Sequence, residues 1–210
     1  MRIGIDFDNT LVSYEDLFPK LAKDLGYLPP DFNSGKRQTR DSLRKLPQGE
    51  EKWMQVQALA YGSAMGQARL MPGVAEFLLR FAGKSLFIVS HKTRFAAAAP
   101  GGCDLHQAAL RFISAHDLPI ARDNIFFEPT RAAKCRRIAS LELDVFIDDL
   151  EEVFADPDFP EEVEKILFYP HPGSPPKGNF TAFQDFAAIS SSLSSRASSI
   201  NMMGIPSLIE

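Results

Sequence analysis

Asp6 and Asp8 stand one residue apart where the apolar run Arg2-Ile3-Gly4-Ile5 ends, and Asn9, Thr10 and Leu11 follow. Side chains alternate along a strand, so the two carboxylates share a face only if the chain stays extended through Asp8; a turn there aims both at one point beyond the strand's carboxyl end. Open α/β sheets hold their ligands in that crevice. Two acids without an internal basic partner invite a hard cation, and Mg2+ is held by one or two carboxylates together with waters and phosphate oxygens. Asp-x-Asp also opens calcium loops, but those need further oxygen ligands at set steps, and here Leu11 and Val12 come next. The plain structural role, capping a following helix, needs only Asn9 or Thr10.

Three further positions supply what a phosphoryl-transfer site with two carboxylates lacks, because such chemistry rests on positioning and on neutralising charge on the equatorial oxygens. Ser90, His91, Lys92 and Thr93 sit at the end of a second apolar run, where a hydroxyl and adjacent backbone N–H groups can hold a phosphate. Lys134, near the start of a helical stretch, can place an ammonium over a nucleophile and phosphate oxygens, with Arg131, Arg136 and Arg137 as rival cations. Asp148 and Asp149 emerge from the apolar run Leu143-Asp144-Val145-Phe146-Ile147. Adjacent acids repel unless a cation lies beside them, which makes them candidate metal ligands; the alternative is that Asp149 caps a helix over Leu150 to Ala155.

The elements that must carry these residues follow from periodicity. Leu17, Phe18, Leu21, Ala22 and Leu25 have helical spacing within Tyr14 to Gly26, and Pro29-Pro30 ends that stretch. A basic segment, Lys36 to Lys45, precedes a long helix expected over Glu50 to Arg69, and no strand-like run interrupts residues 13–70. Lys36, Arg37, Arg40, Arg44 and Lys45 read either as a solvated face or as partners for a second acidic group on a substrate. After Met71-Pro72-Gly73 a helix runs from Val74, and strands then alternate with helices: Ser85 to Ser90, Asp104 to His116, Asn124 to Phe127, Arg131 to Ser140, Leu143 to Ile147, Lys165 to Tyr169. With the opening strand this predicts a five-stranded parallel sheet covered by helices. Phe95 to Asp104 carries no readable motif and is expected beside the pocket; Ser190 onward reads as a mobile tail, or as a segment docking Met202, Met203 and Ile205 on the core or on a second subunit.

Composition narrows the partners. The chain has 210 residues with 45% hydrophobic content, enough for one core and a small insertion. A net charge of -4 and a pI near 5.6 provide no general attraction to nucleic acid or anionic membrane. No secretory leader or long apolar run is evident, so a cytoplasmic protein, monomer or homodimer, is expected. Cys103 and Cys135 are too few for a disulfide framework and read as ordinary thiols.

In this order, Asp6-Phe7-Asp8-Asn9-Thr10, Ser90, Lys134 and Asp148-Asp149 resemble the haloacid dehalogenase superfamily over residues 1 to about 170. The resemblance implies a three-layer Rossmann-like core from residues 1–12 and 71–190, a helical cap from residues 13–70, and a serine-rich tail at 191–210. It further implies that Asp6 attacks phosphorus to form an aspartyl-phosphate and that Asp8 protonates the leaving oxygen and later activates water. Ser90 and Lys134 hold the phosphoryl group, with His91 and Lys92 beside it. Asp6, the backbone carbonyl of Asp8, and Asp148 hold Mg2+, with Asp149, or Glu152 in its stead, close behind. An acid at Asp8 favours ester hydrolysis over dehalogenation, since a halide leaves without a proton. The expected function is therefore Mg2+-dependent hydrolysis of a small phosphomonoester such as a sugar phosphate or nucleoside monophosphate. Phosphotransferase or phosphomutase activity, or non-catalytic ligand binding on the same fold, are the alternatives.

Overall fold

A computed structural model describes residues 1–96 and 102–202. In chain order the elements are β1 (Arg2–Ile5), β2 (Val12–Ser13), α1 (Leu17–Asp24), α2 (Lys36–Leu43), α3 (Gly49–Ala60), β3 (Arg69–Leu70), α4 (Val74–Arg80), β4 (Ser85–His91) and α5 (Leu105–Ala115). They continue as β5 (Ile125–Glu128), α6 (Arg131–Ser140), β6 (Val145–Asp148), α7 (Glu151–Phe154), β7 (Glu164–Phe168), β8 (Thr181–Phe183) and α8 (Phe186–Met202).

The main sheet is parallel and has six strands in the order β5-β4-β1-β6-β7-β8, one more than the five expected. The added strand, β8, is three residues long and follows a loop rich in proline and glycine, so it carries too little alternation to be read from sequence. From β1 the chain first winds outward through β4 and β5, then returns to start β6, β7 and β8 on the other side. The reversal lies between β1 and β6, the topological switch point where such sheets open a ligand crevice.

Both faces of the sheet are buried, which accounts for near-continuous apolar strands. Ile3, Ile5, Leu86, Ile88, Val145 and Ile147 pack into one cluster, and Phe87, Val89, Phe146 and Leu167 face the other. Gly4 is the exception inside β1, and packing explains it: a Cβ there would lie 2.4 Å from Leu143 Cδ1 and 2.6 Å from Phe146 Cδ2.

Between β1 and β4, helices α1 to α3 close around Leu17, Phe18, Leu21, Trp53 and Val56, with the Phe18 and Trp53 rings stacked at 4.9 Å. Two expectations are corrected in this region. Residues 13–70 are not free of strands, because Val12–Ser13 pairs antiparallel with Arg69–Leu70; two-residue strands leave no period to detect. The helix expected over Glu50 to Arg69 stops at Ala60, and a short 3-10 turn at Met65–Gln67 follows, since Gly62 and Gly66 each weaken a helix by about 1 kcal/mol. Gly62 also packs beside Cys103, whose sulfur would lie 2.9 Å from an added Cβ.

The carboxyl-terminal segment is likewise corrected, for α8 runs helically across the boundary at residue 190 where a mobile tail was expected. Phe186, Ile189, Ser190 and Leu193 are buried at helical spacing, and the surrounding serines masked that stripe in the sequence. The side chains of Met202, Met203 and Ile205 lie outside the described residues. Among the described residues no helix is long and apolar enough to cross a membrane.

Candidate active site

The first site element is the turn after β1. The Asp6 N–H still donates to the Ile147 carbonyl at 2.9 Å, keeping the chain against β6 beyond its last rung. The Phe7 carbonyl then accepts from Leu11 and Val12, each at 3.0 Å, and Asn9 takes the left-handed conformation with φ 65°. Asparagine tolerates that region better than most residues, which suits it to the turn. Phe7 is buried edge-on against Phe112 and Phe127, and Asp6 and Asp8 both line one cavity of about 370 Å3.

At the cavity floor the Lys134 ammonium donates to Asp6 Oδ1 and to Asp148 Oδ2, each at 2.6 Å. Its helix, α6, is capped by the Thr130 hydroxyl, which accepts from the Ala133 N–H at 3.1 Å, and anchored by buried Cys135 and Ile138. Asp148 Oδ1 accepts the Leu150 N–H at 3.0 Å, and Asp149 Oδ1 accepts from the Thr10 hydroxyl at 3.2 Å. Carboxylate oxygens of Asp6, Asp148 and Asp149 lie within 4.8 Å of one another.

Burial sets the charge state of this group. It pushes the Asp6 carboxyl up to about 7; Lys134 opposes the shift and the Asp148 charge adds to it. Asp149 is held well above the ordinary carboxylate value by burial, with Asp148 and Asp6 pressing the same way. Burial opposes the Lys134 charge too, but its two carboxylate partners outweigh that cost and raise its pKa. One ammonium thus faces three acids, an arrangement with room for further positive charge. The donor set is all oxygen and suits a hard divalent ion held by Asp6, Asp148 and Asp149.

The sequence-selected residues fall into two groups. Asp6, Lys134, Asp148 and Asp149 meet at the floor, and Ser90, buried at the end of β4, faces the same cavity. The Asp8 carboxylate lines the same cavity but stands apart from the floor group: one oxygen accepts from the Tyr14 hydroxyl at 2.5 Å, and the other pairs with the Lys92 ammonium at 2.6 Å. Lys92 is buried, whereas His91 is exposed with its Nε2 3.1 Å from the Pro129 carbonyl; both line the cavity. Asp149 does not cap a helix, since α7 begins after Leu150 without a side-chain cap. Glu152 is exposed on α7, outside the acid group. Of the rival cations, Arg136 pairs with Asp158 and Arg137 with Glu128, so Lys134 alone among them reaches the carboxylates.

The basic segment divides likewise. Lys36 turns inward, donating to Asn9 Oδ1 at 2.6 Å with its ammonium 5.6, 5.1 and 5.5 Å from the rings of Tyr14, Phe18 and Tyr61. Burial lowers its pKa despite the nearby Asp8 and Asp149. Arg37 and Lys45 are exposed, while Arg40 and Arg44 pair with Asp41 and Glu50.

Sequence reasoning missed Tyr14, Tyr61, Met54 and Gln57. Tyr14 and Tyr61 meet edge-to-face at 4.9 Å, and burial together with the Asp8 charge raises both phenol pKa values. Met54, Gln57 and Ala58 of α3 and Tyr61 just after it line the cavity, and their spacing was the only signal of a shared face. Of the Phe95 to Asp104 segment expected beside the pocket, Ala96 lines the cavity, as does Leu105 just after it; residues 97–101 lie outside the described residues.

No family model matches the sequence, and no curated protein does. Solved structures do match. A haloacid dehalogenase-like hydrolase from Streptococcus pneumoniae is 16% identical, with 91% of this chain and 97% of that one covered at a TM-score of 0.59. A hydrolase of the same kind from Deinococcus radiodurans, solved with bound phosphate and sodium, is 18% identical over 93% and 96% at 0.54. A putative phosphoglycolate phosphatase from Lactobacillus plantarum is 16% identical over 90% and 96% at 0.50.

Proposed function

We propose, from the haloacid dehalogenase-like hydrolase fold that this chain adopts, that it is a Mg2+-dependent phosphatase acting on a small phosphomonoester. The observation that carries the reading is the group of buried Asp6 and Asp148 and half-buried Asp149, with the Lys134 ammonium between the first two, at the β1/β6 switch point. Mg2+ would be held by these three carboxylates and would offset the repulsion between an anionic nucleophile and an anionic phosphate.

The chain's own residues take the following roles. An Asp6 oxygen attacks phosphorus, the bond from phosphorus to the alcohol oxygen breaks, and Asp8 gives that oxygen a proton. Water then attacks the aspartyl-phosphate as Asp8 takes a proton back, releasing inorganic phosphate and restoring Asp6. A positioned acid is worth about 10²–10⁴-fold when the leaving group is an alkoxide. Lys134 orients Asp6 through its 2.6 Å bond and, with the Ser90 hydroxyl, receives the phosphoryl oxygens. The Asp8 acid favours this chemistry over dehalogenation. Met54 and Gln57 of α3 and Tyr61 just after it, within the segment read as a cap, line the cavity and limit the entry of water.

The test is phosphate release from a panel of phosphomonoesters, with and without Mg2+, by the protein and its Asp6→Asn variant. Turnover that requires Mg2+ and is lost in the variant is expected. Turnover retained by D6N overturns Asp6 as nucleophile, and no hydrolysis of any ester overturns the phosphatase reading.

A further inference from the structure

Two of the cations that line the cavity already have carboxylate partners: Lys134 lies between Asp6 and Asp148, and Lys92 is paired with Asp8. Arg131 also lines the cavity but is exposed, and among the described residues it belongs to no ion pair. Its helix-mates Arg136 and Arg137 are bound to Asp158 and Glu128. Nor does the segment after Ala96 bring an acid, for residues 97–101 read Ala-Ala-Ala-Pro-Gly.

The position of this spare charge is informative. Arg131 precedes Lys134 by three residues on α6, so the two side chains leave one side of the helix with Cβ atoms about 5–6 Å apart. Lys134 is buried at the floor and Arg131 lies outward from it. A phosphoryl group gathered at Lys134 therefore has an uncommitted guanidinium about one helical turn away. Its planar fork of donors matches a carboxylate or a second phosphoryl group, and it offers a neutral polyol much less. Elsewhere on the wall Gln57, Tyr61 and Thr93 are polar but uncharged and Met54, Ala58 and Leu105 are apolar, so among the described residues Arg131 is the guanidinium that the cavity leaves without a carboxylate partner.

We propose that Arg131 is a specificity residue and that the substrate is a phosphomonoester bearing a second anionic group, a carboxylate or another phosphoryl group. The inference rests on the phosphatase reading.

Matched esters test it, with Mg2+ present throughout: 3-phosphoglycerate against glycerol 3-phosphate for the carboxylate, and glucose 1,6-bisphosphate against glucose 6-phosphate for the second phosphoryl group. In the unmutated protein kcat/KM is expected to favour the doubly anionic member of at least one pair, and which pair responds identifies the group. Arg131→Gln is expected to reduce that preference about tenfold, chiefly through KM, as for loss of one charge-assisted contact. Arg136→Gln, which removes an arginine outside the cavity, is expected to keep it. Hydrolysis without such a preference, or a preference that survives in R131Q, overturns the role of Arg131 while leaving the phosphatase reading intact. Hydrolysis of no ester overturns the reading and the inference together.

Discussion

Lys134 is a buried cation whose worth depends on both of its carboxylates. Taking it away leaves Asp6 and Asp148 desolvated and uncompensated, whereas together the three groups satisfy one another. Lys134→Met is expected to cost about 3–5 kcal/mol in urea unfolding of the metal-free protein at neutral pH, and less in mild acid where the carboxyls take up protons. An unchanged midpoint would mean that the pair is not formed. The residues of this centre were legible because each ends a local apolar pattern: Asp6 and Asp8 after Ile5, Ser90 after Val89, Asp148 and Asp149 after Ile147. Their division of labour was not. That Lys92 binds Asp8 depends on β4 lying beside β1, and that Lys36, one of five basic residues in its segment, turns inward onto Asn9 depends on how α1 to α3 fold over the sheet; no spacing within one segment encodes either.

Elements were legible in proportion to their length. The strands β1, β4, β6 and β7 and the helix α6 each carry a period or an apolar run long enough to declare them, while β2, β3 and β8 are held by tertiary pairing alone. Helix α8 is a different case, since its apolar stripe was present but set among serines. Phe186 opens that stripe, fully buried with its ring 5.2 Å from Phe77 and 4.9 Å from Phe168. Phe186→Ala is expected to lower stability by about 3–5 kcal/mol, read from thermal or urea unfolding. A loss below about 1 kcal/mol would place α8 outside the cooperative core.

For the whole molecule, the acid group ties proton uptake to folding and, on the proposed function, to the metal. In the metal-free fold Asp6 keeps its proton up to about 7, whereas an unfolded carboxyl gives its proton up near 3.8. Between those values the native state binds more protons than the unfolded chain, so this group's contribution to stability declines as pH rises through the window. A divalent cation favours the ionised form, so added Mg2+ is expected to raise the Tm more at about pH 7.5 than at about pH 5, with the Asp6→Asn variant losing much of the difference. Equal gains at both pH values would disconnect Asp6 from the metal.

The two-rung ladder of Val12–Ser13 with Arg69–Leu70 has an architectural consequence. Seen from the sheet, everything between those strands leaves and returns through one doorway, whatever its length. Closing a longer loop costs little more than closing a shorter one, about 0.6 kcal/mol per doubling. The segment beyond the doorway is thus free to be rebuilt while the strand tips stay fixed, so a lineage can change what it admits to the chamber without renegotiating the chemistry inside.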